Sequence, residues 1–498
     1  MKTSIFKTTI PAILILFYCS ITTAARWQEY TSENFRVYSD LKQKEVIKLI
    51  NNFETFRKAA LIYANLDPRK ENIRARIFIL NRKADYKKIG PENSLGFYRD
   101  SWDGPIMVVQ GKSYFLSKNS ILYHEYFHYL LRERSELYYP KWYDEGFAEV
   151  LSTADVDSDA VSIGGMPELR AYRLNAKLKH IPIKLEKFLI PTPPEKKKDQ
   201  DEYWASFYAQ AWLMTHYIQL GVYSGYPDYS PALRKYILAI NNGEDPISSF
   251  PKHFGRSIEE FSKELVEYKN QKYINGFKFS VTPYTGGIKI RAFSDNEGYY
   301  HLANLAWESG NEEYALKTLK KTRKTKENAA ANIALSAILE NHKEGIDSKH
   351  LAKEHARKAQ TLGINSAESY RDLAHYYYDV IETSRKNNTQ EKDAYKQLIS
   401  YATKAIELDP SLISAYSFLW QGHALMGDRI EALKVMVAAF KIYPENIRLN
   451  YELGAYIANG EEADAAIPLL EKVIKTTHNQ ELQKSAEDIL KRIREQSN

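Results

Sequence analysis

Cysteine is nearly absent from this chain of 498 residues: Cys19 is the only one. It lies in an apolar N-terminal stretch. The remaining sequence can therefore form no internal disulfide and offers neither a thiol nucleophile nor a cysteine-based metal site. A lipid-modified export signal would want a small residue before that cysteine, and Tyr18 is not one. Long apolar runs are missing too. The run from Ile10 to Tyr18 falls short of the ~20 residues a membrane-spanning helix needs, and no later stretch reaches that length. An excess of one charge is also lacking. Lys and Arg number 69 against 63 Asp and Glu, a formal net charge of +6. No basic stripe with interleaved aromatics stands out, which argues against a nucleic-acid partner.

Hydrophobic residues make up 44% and charged residues 27%, the balance of a soluble globular chain. At ~100–200 residues per domain, the length calls for two or three domains. Residues 1–25 read as a secretory signal peptide: Lys2 and Lys7, the apolar run, then small residues with cleavage after Ala24 or Ala25. The mature chain is expected to be exported, to a periplasm or to the exterior, with no transmembrane segment. Its lack of cysteine fits bacterial export better than a eukaryotic secretory route.

From residue 26 to 272 the pattern is mixed α/β. Phe35–Ser39 and Arg74–Leu80 read as strands, and "EVIKLINNFETFRKAALIY" between them has helical spacing. "GFYRD" and "PIMVVQ" read as a strand pair about Asp103 and Gly104. Pro105–Gln110 reads as the sheet edge, to which an extended peptide could add as a strand. Two helices follow, from about Ser117 to Arg134 and from Pro140 to Ser152. "TPPEKKKDQDE" (192–202) reads as a polar loop and 273–296 as a linker. The remainder, 297–498, is helical and repeats. Pro410 and Pro444 lie 34 residues apart, as do Ala405 and Ala439, and Ala432 and Ala466. A period of 34 with small residues at one phase, a glycine turn and a closing proline resembles the tetratricopeptide repeat. Small residues let paired helices pack closely, and proline stops the second one. The resemblance implies an all-α solenoid that docks a protein partner or substrate.

The chemistry sits in "YHEYFHYLL" (123–131). Residues four apart share one helix face, so His124 and His128 can both aim an imidazole nitrogen at one ion. A zinc site needs at least one more protein ligand, and an open position if it is catalytic. "YPKWYDEGFAEVL" supplies Glu145 and Glu149, again four apart on one face, on a helix that Pro140 can start. Two helices joined by a short loop can bring these carboxylates to the histidines. A glycine at 146 would let the second helix approach the zinc helix closely.

His124-Glu125-Tyr126-Phe127-His128 followed by Asp144-Glu145-Gly146-Phe147-Ala148-Glu149 resembles the gluzincin metallopeptidases, and more closely the exported peptidase-MA-like proteins with tetratricopeptide repeats behind the peptidase domain. The resemblance implies an α+β zincin-like domain over 26–272. It implies Zn2+ held by His124, His128 and Glu145, with Glu125 as general base. It implies that Glu149 orients a ligand histidine, His124 before His128, through its second nitrogen. It also implies a tyrosine that stabilises the oxyanion, which here is Tyr208, with Tyr203 and His216 as competing donors. The spacing from His128 to Glu145 is shorter than in the aminopeptidase branch, and no Gly-x-Met-Glu-Asn precedes the zinc helix; "GGMPE" comes later. Cleavage within a protein or peptide substrate is therefore expected rather than removal of an N-terminal residue. The alternative is a repeat-based interaction protein carrying an inactive, zinc-stabilised peptidase domain. The two units are expected to be separable, so that removing 297–498 spares cleavage of short peptides and weakens action on the natural target.

Overall fold

The computed structural model describes residues 27–68, 73–92, 94–99, 101–111, 120–135, 137–174, 181–293, 295–322, 332–334, 339, 345–364, 366–387, 392–477 and 480–496. The signal-peptide reading, and the start of the first histidine-bearing helix before Ser120, lie outside these residues. No described helix is long and apolar enough to cross a membrane.

Among the described residues nine strands form two sheets. They are β1 (Gln28–Thr31), β2 (Phe35–Ser39), β3 (Ala75–Leu80), β4 (Gly96–Arg99), β5 (Ile106–Gln110), β6 (Asp155–Val156), β7 (Ala160–Ile163), β8 (Phe277–Ser280) and β9 (Lys289–Ala292). The larger sheet has the order β4-β5-β3-β2-β1-β9, and the smaller β6-β7-β8. In the larger, β2, β3 and β5 run parallel and β4 pairs antiparallel with β5. Strand β5 is therefore interior, buried along its length. The sheet edge is β4, and the expectation of an edge at Pro105–Gln110 is corrected. The stretch 273–296, read as a linker, supplies β8 to the small sheet and β9 to the far edge of the large one.

Parallel strands covered on both faces read as unbroken apolar runs, and "IFIL" in β3 and "IMVV" in β5 are such runs. One face carries Ile77, Ile79, Met107 and Val109 into the main core. There α1 (Gln43–Tyr63) meets α3 (Ser120–Arg134), with Phe56 stacked on Tyr123 at 3.9 Å and Phe53 edge-on to Tyr126 at 5.0 Å. The short α2 (Lys83–Ile89) lies beside the opposite face. Helix α4 (Lys141–Ser152) packs between α3 and the long α7 (Lys197–Leu220). Between these last two come α5 (Glu168–Ala171) and α6 (Leu185–Leu189). The segment 192–202, expected as a loop, is helical from Lys197 onward. Gly146 faces α7, not α3: a Cβ there would stand 2.3 Å from the carbonyl oxygen of Ala211 and 2.2 Å from Thr215 Oγ1. The missing side chain brings α4 against α7, which corrects the expectation that it serves the approach to the zinc helix. After α8 (Ser230–Asn241), α9 (Pro246–Phe254) and α10 (Ile258–Lys269) the domain closes with β8 and β9.

The C-terminal part is an array of packed helix pairs. Its helices are α11 (Asp295–Glu308), α12 (Glu312–Thr322), α13 (Gly345–Leu362), α14 (Ala367–Lys386), α15 (Lys392–Leu408), α16 (Ile413–Leu425), α17 (Arg429–Ile442), α18 (Ile447–Ile457), α19 (Ile467–Thr476) and α20 (Gln480–Gln496). Packed pairs are α11–α12, α14–α15, α16–α17 and α18–α19. The phase alanines Ala405, Ala432, Ala439 and Ala466 are fully buried.

This array is fastened to the first domain. The second face of the large sheet, with Tyr38, Phe78, Leu80, Ile106 and Val108, shares one core with Tyr300, Leu302 and Leu305 of α11 and with Leu319 of α12. The β4–β5 turn, where Gly104 sits at φ +88°, inserts among the first helices of successive pairs. Asp103 accepts hydrogen bonds from the Ser414 backbone N–H and hydroxyl, each 2.7 Å, and from Arg371 at 3.2 Å. It thus caps the start of α16 from another domain. Trp102 lies edge-on to Trp420 at 5.6 Å.

Candidate metal centre

The register of α3 explains its mixed composition. Tyr123, Tyr126, Phe127 and Leu130 fill the core, which leaves His124, Glu125 and His128 on the face toward a cleft. That cleft, of about 580 Å³, is lined by these three, by Glu145 and Tyr208, by Tyr98 and Arg99 of β4, and by α18 and α19 of the repeats. Three nitrogen and oxygen atoms converge in it. His124 Nε2 and His128 Nε2 are 3.1 Å apart, and Glu145 Oε2 is 3.4 Å and 3.3 Å from them. Among the described residues this is the one cluster of three potential ligand groups.

The triangle fits a metal. Nitrogen and oxygen ligands at the ~2.0–2.1 Å bond lengths of tetrahedral zinc stand about 3.3 Å apart. Two imidazoles and a carboxylate are a donor set that zinc accepts, and the cleft leaves a fourth side open. The neighbours orient these three side chains. Asp144 Oδ1 lies 2.8 Å from His128 Nδ1, which fixes the tautomer with its proton on Nδ1 and turns Nε2 toward the triangle. Glu149 Oε1 is 3.7 Å from His124 Nδ1 and is gripped by Arg170 at 2.6 Å and 3.0 Å. Lys141 reaches the other oxygen of Glu145 at 3.2 Å. Burial opposes a charge on His128, but Asp144 and Glu145 outweigh it and push the imidazole up to about 10. His124 shifts the same way against its burial, through Glu145 and Glu149. Burial raises Glu145, but the facing imidazoles hold it well below the usual carboxylate range. The pocket therefore favours positive charge.

Of the tyrosines, Tyr208 lines the cleft, with the Arg170 guanidinium 4.9 Å from its ring centre. Burial, then Glu145, raises its hydroxyl well above its ordinary value, so it stays a donor. Tyr203 instead accepts a hydrogen bond from the Thr192 N–H at 3.0 Å. His216 is fully buried, 2.7 Å from the Tyr268 hydroxyl and 2.8 Å from the Gly164 carbonyl. It is a packing residue. Asp144 and Arg170 received no role in the sequence reading. Asp144 stood in the quoted motif beside Glu145, whereas nothing local marks Arg170.

The setting of His216 has a measurable consequence. Burial lowers its pKa to about 4, below the ~6.5 of an unfolded histidine. As pH falls below 6.5 the unfolded chain takes up a proton that the native chain refuses, so stability falls until about pH 4. Between pH 7 and pH 5 this removes about 2 kcal/mol. Urea unfolding of metal-free protein is expected to show a His216→Gln variant less pH-dependent than the parent by that amount. Equal slopes would contradict the assignment.

No protein-family model matches the chain, and no curated protein matches it. Among solved structures it is similar to YrrB, a TPR protein with an unusual peptide-binding site (20% identity, 39% of this chain and 92% of that one, TM-score 0.28). It is also similar to TTC0263, a thermophilic TPR protein of Thermus thermophilus (14%, 39% and 98%, TM-score 0.32), and to pilF of Pseudomonas aeruginosa (16%, 40% and 88%, TM-score 0.31).

Proposed function

We propose that the protein is an exported zinc-dependent peptidase that cleaves within protein or peptide substrates. The observation that carries this reading is the triangle of His124 Nε2, His128 Nε2 and Glu145 Oε2, with edges of 3.1 to 3.4 Å, in a cleft that also holds Glu125 and Tyr208. His124, His128 and Glu145 would hold the ion. A bound zinc supplies Lewis acidity and a water acidified to a pKa of about 7. Asp144 keeps His128 in the ligating tautomer, and Glu149, braced by Arg170, lies beside the second nitrogen of His124. Glu125 takes the proton from the attacking water at its carboxylate and returns it to the leaving amine. Tyr208 donates a hydrogen bond from its hydroxyl to the carbonyl oxygen as charge develops there. The repeats serve the same reaction by walling the cleft.

Metal analysis tests this. Purified mature protein is expected to carry one zinc. Glu145→Ala is expected to be isolated without metal. Glu149→Ala should hold it ~10–100-fold more weakly, the typical loss for a residue that orients a ligand. No metal after gentle purification, and no uptake on adding zinc, would defeat the reading. A metal-free Glu149→Ala beside a merely weakened Glu145→Ala would reverse the ligand assignment.

A further inference from the structure

We propose that Arg448 is a specificity residue that binds a carboxylate of the substrate from the wall of the cleft opposite Glu125. This deepens the peptidase reading and rests on it. The two walls differ in charge. The α3–α4 side presents Glu125 and Glu145, whereas the repeat side presents Arg448, Lys472 and Glu445, with Arg99 at the sheet edge. Two of these three cations are already matched: Arg99 lies 2.6 Å from Glu308, and Lys472 pairs with Glu445. Arg448 makes no ion pair within 4.0 Å among the described residues, and the carboxylate that feels its charge is the half-buried Glu452 one turn along its own helix. Its guanidinium instead sits 5.3 Å from the ring centre of Trp102. A guanidinium over an aromatic ring keeps its N–H donors at its rim, in the fork that matches a carboxylate.

The position of Arg448 is set from both sides. It stands in the first turn of α18, whose start is capped by the Asn446 side chain accepting from the Leu449 N–H at 2.9 Å. The same side chain donates toward the carbonyl oxygens of Ser101 and Trp102 at 3.3 Å and 3.4 Å. One residue thus ties the arginine's helix to the loop that carries its aromatic seat. Arg448 itself is exposed to the cleft. A peptide carboxylate is repelled by Glu125 and attracted by Arg448, which orients the chain with its charge away from the scissile bond. The carboxylate could be an internal Asp or Glu side chain or the C-terminus of the peptide.

Three peptides of one sequence distinguish these sources: a neutral one with an amidated end, the same with a free C-terminus, and the amidated one with an internal Glu. Their binding to full-length Glu125→Gln protein is read by fluorescence anisotropy, with and without Arg448→Gln. Their turnover is read with the parent and with Arg448→Gln alone, and thermal unfolding checks that the exposed substitution leaves the fold intact. One carboxylate peptide is expected to bind ~10–100-fold tighter than the neutral one. That advantage should vanish in Arg448→Gln, and the loss in turnover should fall on KM rather than kcat. Equal affinity for all three peptides, or a preference that survives Arg448→Gln, would overturn the proposal. Turnover indifferent to the carboxylate sinks this inference and leaves the peptidase reading. Carboxylate-dependent binding without any turnover does the reverse.

Discussion

Glu125→Gln is expected to retain zinc and to lose turnover by ~10²–10⁴-fold, the range over which a positioned general base acts. The substitution preserves shape and removes only the capacity to accept a proton. Glu125 follows His124 directly, so it shares the cleft but stands outside the ligand triangle, whose three atoms all come from other residues. Metal content and rate should therefore separate: zinc as in the parent, product formation near background. The pairing matters because either result alone is ambiguous. Loss of rate with loss of metal would place Glu125 among the ligands or in the fold. A parent-like rate with metal intact would exclude it as the base. The measurement is metal analysis beside single-turnover cleavage of an extract of exported proteins, where parent and variant are compared for the peptides they release.

The stretch 123–131 was legible because two periodicities overlap in it. The aromatic positions Tyr123, Tyr126 and Phe127 pack inward, and the histidines four apart remain on the other face, so core and site could both be read from nine residues. Glu145 was legible through its own local motif. The rest of the site was not. Asp144 is a neighbour of Glu145 in sequence, but only the path of α4 past α3 sets its oxygen 2.8 Å from His128 Nδ1. Arg170 joins Glu149 across 21 residues. The far wall of the cleft comes from α18 and α19, some three hundred residues after α3, and no local pattern encodes such a meeting. One signal was present and under-read: "IFIL" and "IMVV" are apolar on both alternating faces. A strand of that kind needs cover on both sides, and the short α2 is too small to cover the second face, which leaves Phe78, Leu80, Ile106 and Val108 asking for a further partner. The repeats are that partner.

This sharing of a core governs the largest effect on stability. Cutting the chain before Glu297 is expected to leave a first domain that does not fold, rather than a peptidase that still cleaves short peptides. Tyr38, Phe78, Leu80, Ile106 and Val108 are each at most 5% exposed in the intact protein, and α11 and α12 contribute much of what covers them. Exposing a large apolar side chain loses roughly 1.5–3 kcal/mol, so five partly uncovered together lose on the order of 10 kcal/mol. That is comparable with the whole stability of an ordinary domain, ~5–15 kcal/mol. The polar fastening goes as well. Asp103, buried against Ser414 and Arg371, loses its partners, and the β4–β5 turn that carries Trp102 loses its seat. Residues 26–296 alone should be insoluble, or soluble without a cooperative thermal transition, and inactive on every substrate. The full chain should unfold in one transition that involves both parts. A soluble 26–296 fragment that melts cooperatively and cleaves short peptides at the parent rate would show that the repeats only rest on the sheet, and would restore them as a separable docking module.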